Sequence, residues 1–295
     1  MEERKKHWGD RKDGWWLREL PGMTQFTPHL YPNRADNEAY INLDIDLRPL
    51  DAYLAKKNQG LTEDKYTYFH VISAAIAKAF VLRPKMNRFI AYNRVYLRKE
   101  ISVAFVVKKK FEDKSEEGLA LLKYHPDSTV DSFHADLMKT IHQTRRTDVK
   151  DPSSDTMDKL LHLPRPLLRL VMHILFFLDR HGKVPQSIIA TDPNYSSIFI
   201  SNLGSIGLEC GYHHLNNWGT NSCFVVIGKK HMAVTYDADG VPDPHMVIPL
   251  GITLDERIAD GYYYSGTVAL VKELLQHPEQ LEAPASTPVE YAIRR

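Results

Sequence analysis

The chain has 295 residues, 43% of them hydrophobic and 25% charged, which suits a soluble globular protein and excludes a disordered or collagen-like one. Lys and Arg total 38 against 37 Asp and Glu, a formal charge of +1, so no global basic field draws the protein to nucleic acid. The two cysteines, Cys210 and Cys223, exclude a disulfide framework, lack the spacing of a zinc site and fit a reducing compartment.

The lead-in, Met1 to Leu20, mixes basic and acidic residues with Trp8, Trp15 and Trp16 and has no apolar core, which excludes a secretory signal. Nowhere does the chain reach the roughly 18 apolar residues that cross a bilayer, and the expected location is the cytoplasm. From Tyr40 to Leu47, Ile41, Leu43, Ile45 and Leu47 alternate with Asn42, Asp44 and Asp46, the period of a half-buried strand. A short helix over Pro49 to Lys57 ends at Gly60. A second helix over Tyr66 to Leu82 is apolar on most sides and stops at Pro84. Arg88 to Arg98 reads as a hairpin turning at Tyr92-Asn93. Ile101 to Lys109 reads as a β-branched strand paired with Gly118 to Tyr124, and Val130 to Arg146 as a helix with Val130, Phe133, Leu137 and Ile141 on one face.

The character changes between about 148 and 190. Pro164-Arg-Pro166 opens a very apolar helix, Leu167 to Leu178, on which Arg165, Arg169 and His173 recur every four residues as one narrow stripe. Strands resume at Ser196 to Asn202, Ser222 to Lys229, Met232 to Tyr236 and Met246 to Leu254. A last helix over Gly261 to Gln276 precedes a Pro/Ala/Ser tail. The pattern predicts a mixed-sheet α/β (α+β) fold. A single domain spans 1–282 with an insertion at about 148–190, and 283–295 form a flexible tail.

Three stretches resemble, in order, the chloramphenicol acetyltransferase-like superfamily, which includes the catalytic core of the 2-oxoacid dehydrogenase acyltransferases (the E2 subunits). Arg83-Pro84-Lys-Met-Asn87 resembles that family's P-x-x-N segment. Phe199-Ile-Ser201-Asn202-Leu203-Gly204 is similar to its I-S-N-L-G strand. Leu254-Asp-Glu256-Arg257-Ile-Ala-Asp260-Gly261 resembles its D-H-R-x-x-D-G segment. The resemblance implies a two-layer sandwich of helices on a mixed sheet, and a homotrimer or multiple of trimers with active sites at subunit interfaces. It also implies coenzyme A as acyl-carrying co-substrate and a small-molecule acceptor, with no metal. No lipoyl-carrying domain precedes the core, which favours a free-standing enzyme over a subunit of a dehydrogenase complex.

Acyl transfer from a thioester needs a base to take the acceptor's proton and a donor to stabilise the oxyanion. By the resemblance, Ser201 is the donor and Asp260 organises the base segment through a salt bridge. The base position, a histidine in the family, is Glu256 here. An ordinary Glu titrates near 4.3 and an ordinary His near 6.5, so the change is not conservative. Three readings stand open: Glu256 is a retuned base; His213 or His214, in the loop after the Ser201 strand, has taken over; or the fold is kept without the chemistry, as an acyl-ligand-binding or scaffold subunit for a partner enzyme. Arg257, Asn202 and Gly261 read as structural support, and Asp260 before Gly261 is also a plain helix N-cap. His70, His134 and His142 read as packing or surface positions, and the cysteines as buried small hydrophobes. The 165–178 helix suits packing on the trimer, a cover for an acyl channel, or contact with a membrane surface.

Overall fold

In the computed structural model, residues 5, 7–108, 117–146 and 160–293 are described. Ten strands and seven α-helices lie among them, in the order β1 (Gly14–Trp16), α1 (Gly22–Leu30), β2 (Glu38–Asp46), α2 (Leu47–Lys57), α3 (Tyr68–Leu82), β3 (Arg88–Ala91), β4 (Arg94–Arg98), β5 (Ile101–Lys108), β6 (Glu117–Tyr124), α4 (Val130–Arg146), α5 (Arg165–Arg180), α6 (Gln186–Ile189), β7 (Ile198–Asn202), β8 (Cys223–Ile227), β9 (His231–Tyr236), β10 (Pro242–Asp255) and α7 (Gly261–Gln276).

The main sheet runs β2-β10-β8-β7-β5-β6, with β9 also paired to β10, and β1-β4-β3 form a small antiparallel sheet. β7 pairs in parallel with both β5 and β8, and the other neighbours are antiparallel. The sheet is therefore mixed, as the sequence predicts. Helices α2, α3, α4 and α7 cover one face, where Ile198, Ile200, Val225, Ile227, Leu250 and Ile252 join the main core. The opposite face carries a smaller cluster of Phe224, Val226 and Leu215, with Phe199, Leu203 and Cys210 against it. This alternation gives β7 its two roles: Ile198 and Ile200 anchor the strand, and Phe199 and Ser201 point to the face away from the helices.

Local chemistry explains the sharper boundaries. Tyr92 and Asn93 have φ of 48° and 57°, the left-handed pair that a two-residue hairpin turn requires. Asp260 accepts the Tyr263 N–H at 2.8 Å and caps α7. Asn87 accepts the Ser197 hydroxyl at 2.7 Å and donates to the Glu100 carbonyl at 3.2 Å, pinning the turn after α3 to the start of β7.

Several expectations need correction. Residues 283–291, expected to belong to a flexible tail, are packed on the domain. Ala285 is fully buried, the Ala285 and Ser286 amides donate to the Ser128 and Pro126 carbonyls, and Tyr291 accepts from Arg83 at 3.0 Å. The buried Lys78 ammonium binds the carbonyls of Gln280, Ala283 and Pro284, so a charge inside α3 holds the tail down. The apolar helix of the insertion is a turn longer than its Leu167–Leu178 core, because Pro166 fits its first turn and Asp179 is held at its end. The first part of the insertion, 148–159, lies outside the described residues. Neither β1 nor α1 was legible as an element. β10 begins at Pro242 rather than Met246 because β9 pairs with its first six residues.

Candidate functional site

The turn that carries Glu256 is built by charge. Asp255 is fully buried and binds Arg257 with two hydrogen bonds of 2.7 Å, from Nε and from a terminal guanidinium nitrogen. Arg257 also donates to the Tyr31 carbonyl at 2.7 Å, and the Arg34 Nε lies 3.9 Å from Asp255. Burial pushes the Arg34 guanidinium down to about 10, partly offset by Asp255. The Glu256 amide donates to the Asn37 carbonyl at 2.9 Å, and Tyr264 donates its hydroxyl to the Asp255 carbonyl at 2.8 Å. Arg257 is thus held in an ion pair. Its partner is Asp255, and Asp260 is the exposed N-cap of α7. The Glu256 side chain is exposed to solvent.

Glu38 stands directly opposite Asp255 in the β2–β10 register. Its side chain is only 1% exposed and accepts three donors: the Tyr40 hydroxyl at 2.6 Å, the Leu215 amide at 2.5 Å and the His214 Nδ1 at 2.9 Å. The hydrogen bond to Glu38 also raises the Tyr40 phenol. The His214 ring is 80% exposed, and its Nε2 makes no hydrogen bond among the described residues. A buried carboxylate on Nδ1 fixes the ring and leaves Nε2 free as an acceptor, the arrangement by which a carboxylate orients a basic histidine. His213 instead stacks on Phe224 with ring centroids 4.6 Å apart. Sequence reasoning missed Glu38, since it lies 176 residues from His214 and only the strand register brings the two together.

Ser201 is the penultimate residue of β7, half-buried, with no hydrogen-bond partner for its hydroxyl among the described residues. Asn202 turns back to accept the Ser205 amide at 3.2 Å, which shapes the turn after the strand. A side chain at Gly204 would collide with the Gly228 carbonyl, so only glycine lets this turn lie against the end of β8. Ser201 is paired with Val226, and Val226 with Gly251; Glu256 lies five residues beyond Gly251, just past the end of β10. At ~3.4 Å per residue and ~4.8 Å per strand, Ser201 and Glu256 are roughly 20 Å apart in one protomer. The chain therefore gathers Glu256, His214 and Glu38 at one end of the sheet and leaves Ser201 and Asn202 away from them. No group of three metal-ligating side chains occurs among the described residues. No helix among them is long and apolar enough to cross a membrane.

The class of fold follows from comparison with solved structures. The chain is similar to a probable dihydrolipoamide acetyltransferase from Listeria monocytogenes 4b F2365 at 13% identity, covering 88% of this chain and 95% of that one with a TM-score of 0.58. It is similar to the Azotobacter vinelandii dihydrolipoamide acetyltransferase (E2p), investigated for the roles of a serine, a histidine and an asparagine in its catalytic mechanism, at 15% identity, 90% and 93% coverage and a TM-score of 0.59. The chain is similar to a chloramphenicol acetyltransferase at 13% identity, covering 89% of this chain and 99% of that one with a TM-score of 0.55. These likenesses establish the chloramphenicol acetyltransferase-like fold. Residues 186–283 match the family model for 2-oxoacid dehydrogenases acyltransferase (catalytic domain). No curated protein matches the chain.

Proposed function

We propose that the chain transfers an acyl group from a coenzyme A thioester to a small hydroxyl, amine or thiol acceptor, at sites completed between protomers of a trimer. The observation that carries this reading is that one family match, over 186–283, includes both the Ser201 strand and the Glu256 turn. The roughly 20 Å between them within a protomer supports an interfacial site, in which the Ser201 of one copy meets the turn of another. In the E2p of Azotobacter vinelandii the histidine and asparagine under study are four residues apart, as are Glu256 and Asp260 here.

Ser201 stabilises the oxyanion of the tetrahedral intermediate. Glu256 stands at the base position, and we assign proton removal to His214, oriented by Glu38, which lies opposite Asp255 in the strand register. An imidazole is by its chemistry a stronger base than a solvated carboxylate. Asp260 keeps its part as the cap that fixes where the segment leaves the sheet.

A second reading, a member that binds an acyl ligand or scaffolds a partner enzyme without turnover, is favoured by the exposed carboxylate at the base position. Acetyl transfer from acetyl-CoA to a panel of small acceptors separates the two. Under the first reading Ser201→Ala lowers turnover by on the order of 10²-fold. His214→Gln lowers it by about 10²- to 10⁴-fold. Turnover unchanged in Ser201→Ala refutes the mechanism. A gain above background in Glu256→His, from a chain with no activity of its own, supports the lapsed member.

A further inference from the structure

We propose that α1 and α5 together form a docking face for an anionic lipid bilayer surface, independently of the acyl-transfer reading. α5 is anchored through one side. Asp179 is buried, accepts from the Tyr195 hydroxyl at 2.8 Å and from the Gly219 amide at 3.1 Å, and Phe176 packs edge-on against Trp218. At 3.6 residues per turn, Leu167, Leu170, Ile174 and Phe177 fall on a different flank. These four are 44%, 55%, 50% and 59% exposed. Arg165, Arg169, His173 and Arg180 share the neighbouring flank, and no Asp or Glu occurs between 160 and 178.

α1 repeats the pattern. Met23, Phe26 and Leu30, spaced to share one stripe, are 72%, 56% and 55% exposed, and the helix holds no Asp, Glu, Lys or Arg. The two stripes are joined across the β3–β4 turn. The Phe26 ring lies 6.3 Å from that of His29, His29 Nδ1 lies 3.4 Å from Asn93 Nδ2, and the His181 ring bridges Tyr92 at 5.2 Å to Phe177 at 4.3 Å. A cleft of about 560 Å³ opens beside this bridge, with the Arg94 guanidinium 4.1 Å from the Trp16 ring centroid.

Two exposed apolar stripes, joined through these rings and edged on α5 with cations, mark an interaction site. Charge selects the occupant. A second copy seated on the same face by a twofold contact would offer Arg165 and Arg169 no carboxylate, because that contact pairs the face with itself and neither α1 nor residues 160–178 hold an Asp or Glu. Lipid phosphates answer the cationic stripe, and the acyl region receives the apolar one, as for a helix that lies in the headgroup layer.

Co-sedimentation of the full chain with phosphatidylcholine vesicles, with and without phosphatidylglycerol, tests this. Binding is expected with phosphatidylglycerol and should weaken with salt. Arg165→Gln with Arg169→Gln should weaken it roughly 25-fold, at about fivefold for each basic side chain. Phe177→Glu and Phe26→Glu should each weaken it at least about tenfold without changing the thermal midpoint. Absence of binding to phosphatidylglycerol vesicles overturns the proposal. Binding untouched by Phe26→Glu overturns the two-helix surface. A shift to a smaller oligomer in Phe177→Glu, with no vesicle binding by the parent chain, would instead assign the face to a second copy.

Discussion

Replacing Asp255 by Ala removes the carboxylate that neutralises two buried guanidiniums. The Arg257 side chain is 1% exposed and that of Arg34 4%, and both point at Asp255, which is wholly buried. Water cannot take over the lost hydrogen bonds, so the cost is that of breaking a buried ion pair, about 3–5 kcal/mol. For a chain of this size each kcal/mol lowers the thermal midpoint by about 2–4 °C, so the variant should melt roughly 10 °C lower. Arg257→Met alone should destabilise comparably. Adding it to Asp255→Ala should cost much less than the sum, because the uncompensated charge leaves with the arginine. Urea unfolding of the four proteins in the double-mutant cycle gives the coupling directly. A loss below about 1 kcal/mol for Asp255→Ala, or strict additivity, would refute the claim that this pair builds the turn.

Two further predictions concern elements away from the site. Burial, reinforced by the charge of His134, pushes His70 down to about 3, and its Nδ1 accepts the Thr67 amide while its Nε2 is buried without a partner. Unfolded, His70 binds a proton below its ordinary 6.5, whereas folded it stays neutral until about 3. The unfolded state therefore takes up more protons, and stability should fall by up to about 1.4 kcal/mol per pH unit as the pH drops below that ordinary value toward about 5. His70→Gln keeps a capping-box residue at that position and should flatten the slope; an unchanged slope would exonerate His70. Truncation after Glu282 removes two of the three carbonyls that hold Lys78 and uncovers the ground under Ala285. It should cost about 1.5–3 kcal/mol in urea unfolding, the range of a charge-assisted hydrogen bond, and a stability equal to that of the full chain would contradict the docked tail.

The sequence reading succeeds where the determinants are local. α7 falls where Asp260 caps it and His277-Pro278 stops it, and the β3–β4 turn sits at Tyr92-Asn93, where Asn tolerates a positive φ. It fails where structure depends on distant partners. The nine-residue α1 contains Pro28, has no charged residue and shows no capping side chain, so nothing local announces it. The tail reads as frayed because Pro, Ala and Ser carry little apolar surface, and the ammonium that binds it comes from Lys78, 202 residues upstream of Gln280. The candidate site divides the same way. Ser201, Glu256, Asp260, His213 and His214 were legible as motif positions or loop candidates. The Glu38–His214 pair and the Asp255–Arg257 pair were not, because each depends on where a strand's register puts a carboxylate.

A site shared between copies of the chain is open to test by subunit mixing. Ser201→Ala and His214→Gln are each purified, combined in equal amounts, dissociated and reassembled, and acetyl transfer from acetyl-CoA is measured. In randomly mixed trimers about a quarter of the interfaces join an intact Ser201 to an intact His214, so the mixture should recover about a quarter of the parent activity. A mixture no more active than its two components would contradict the account.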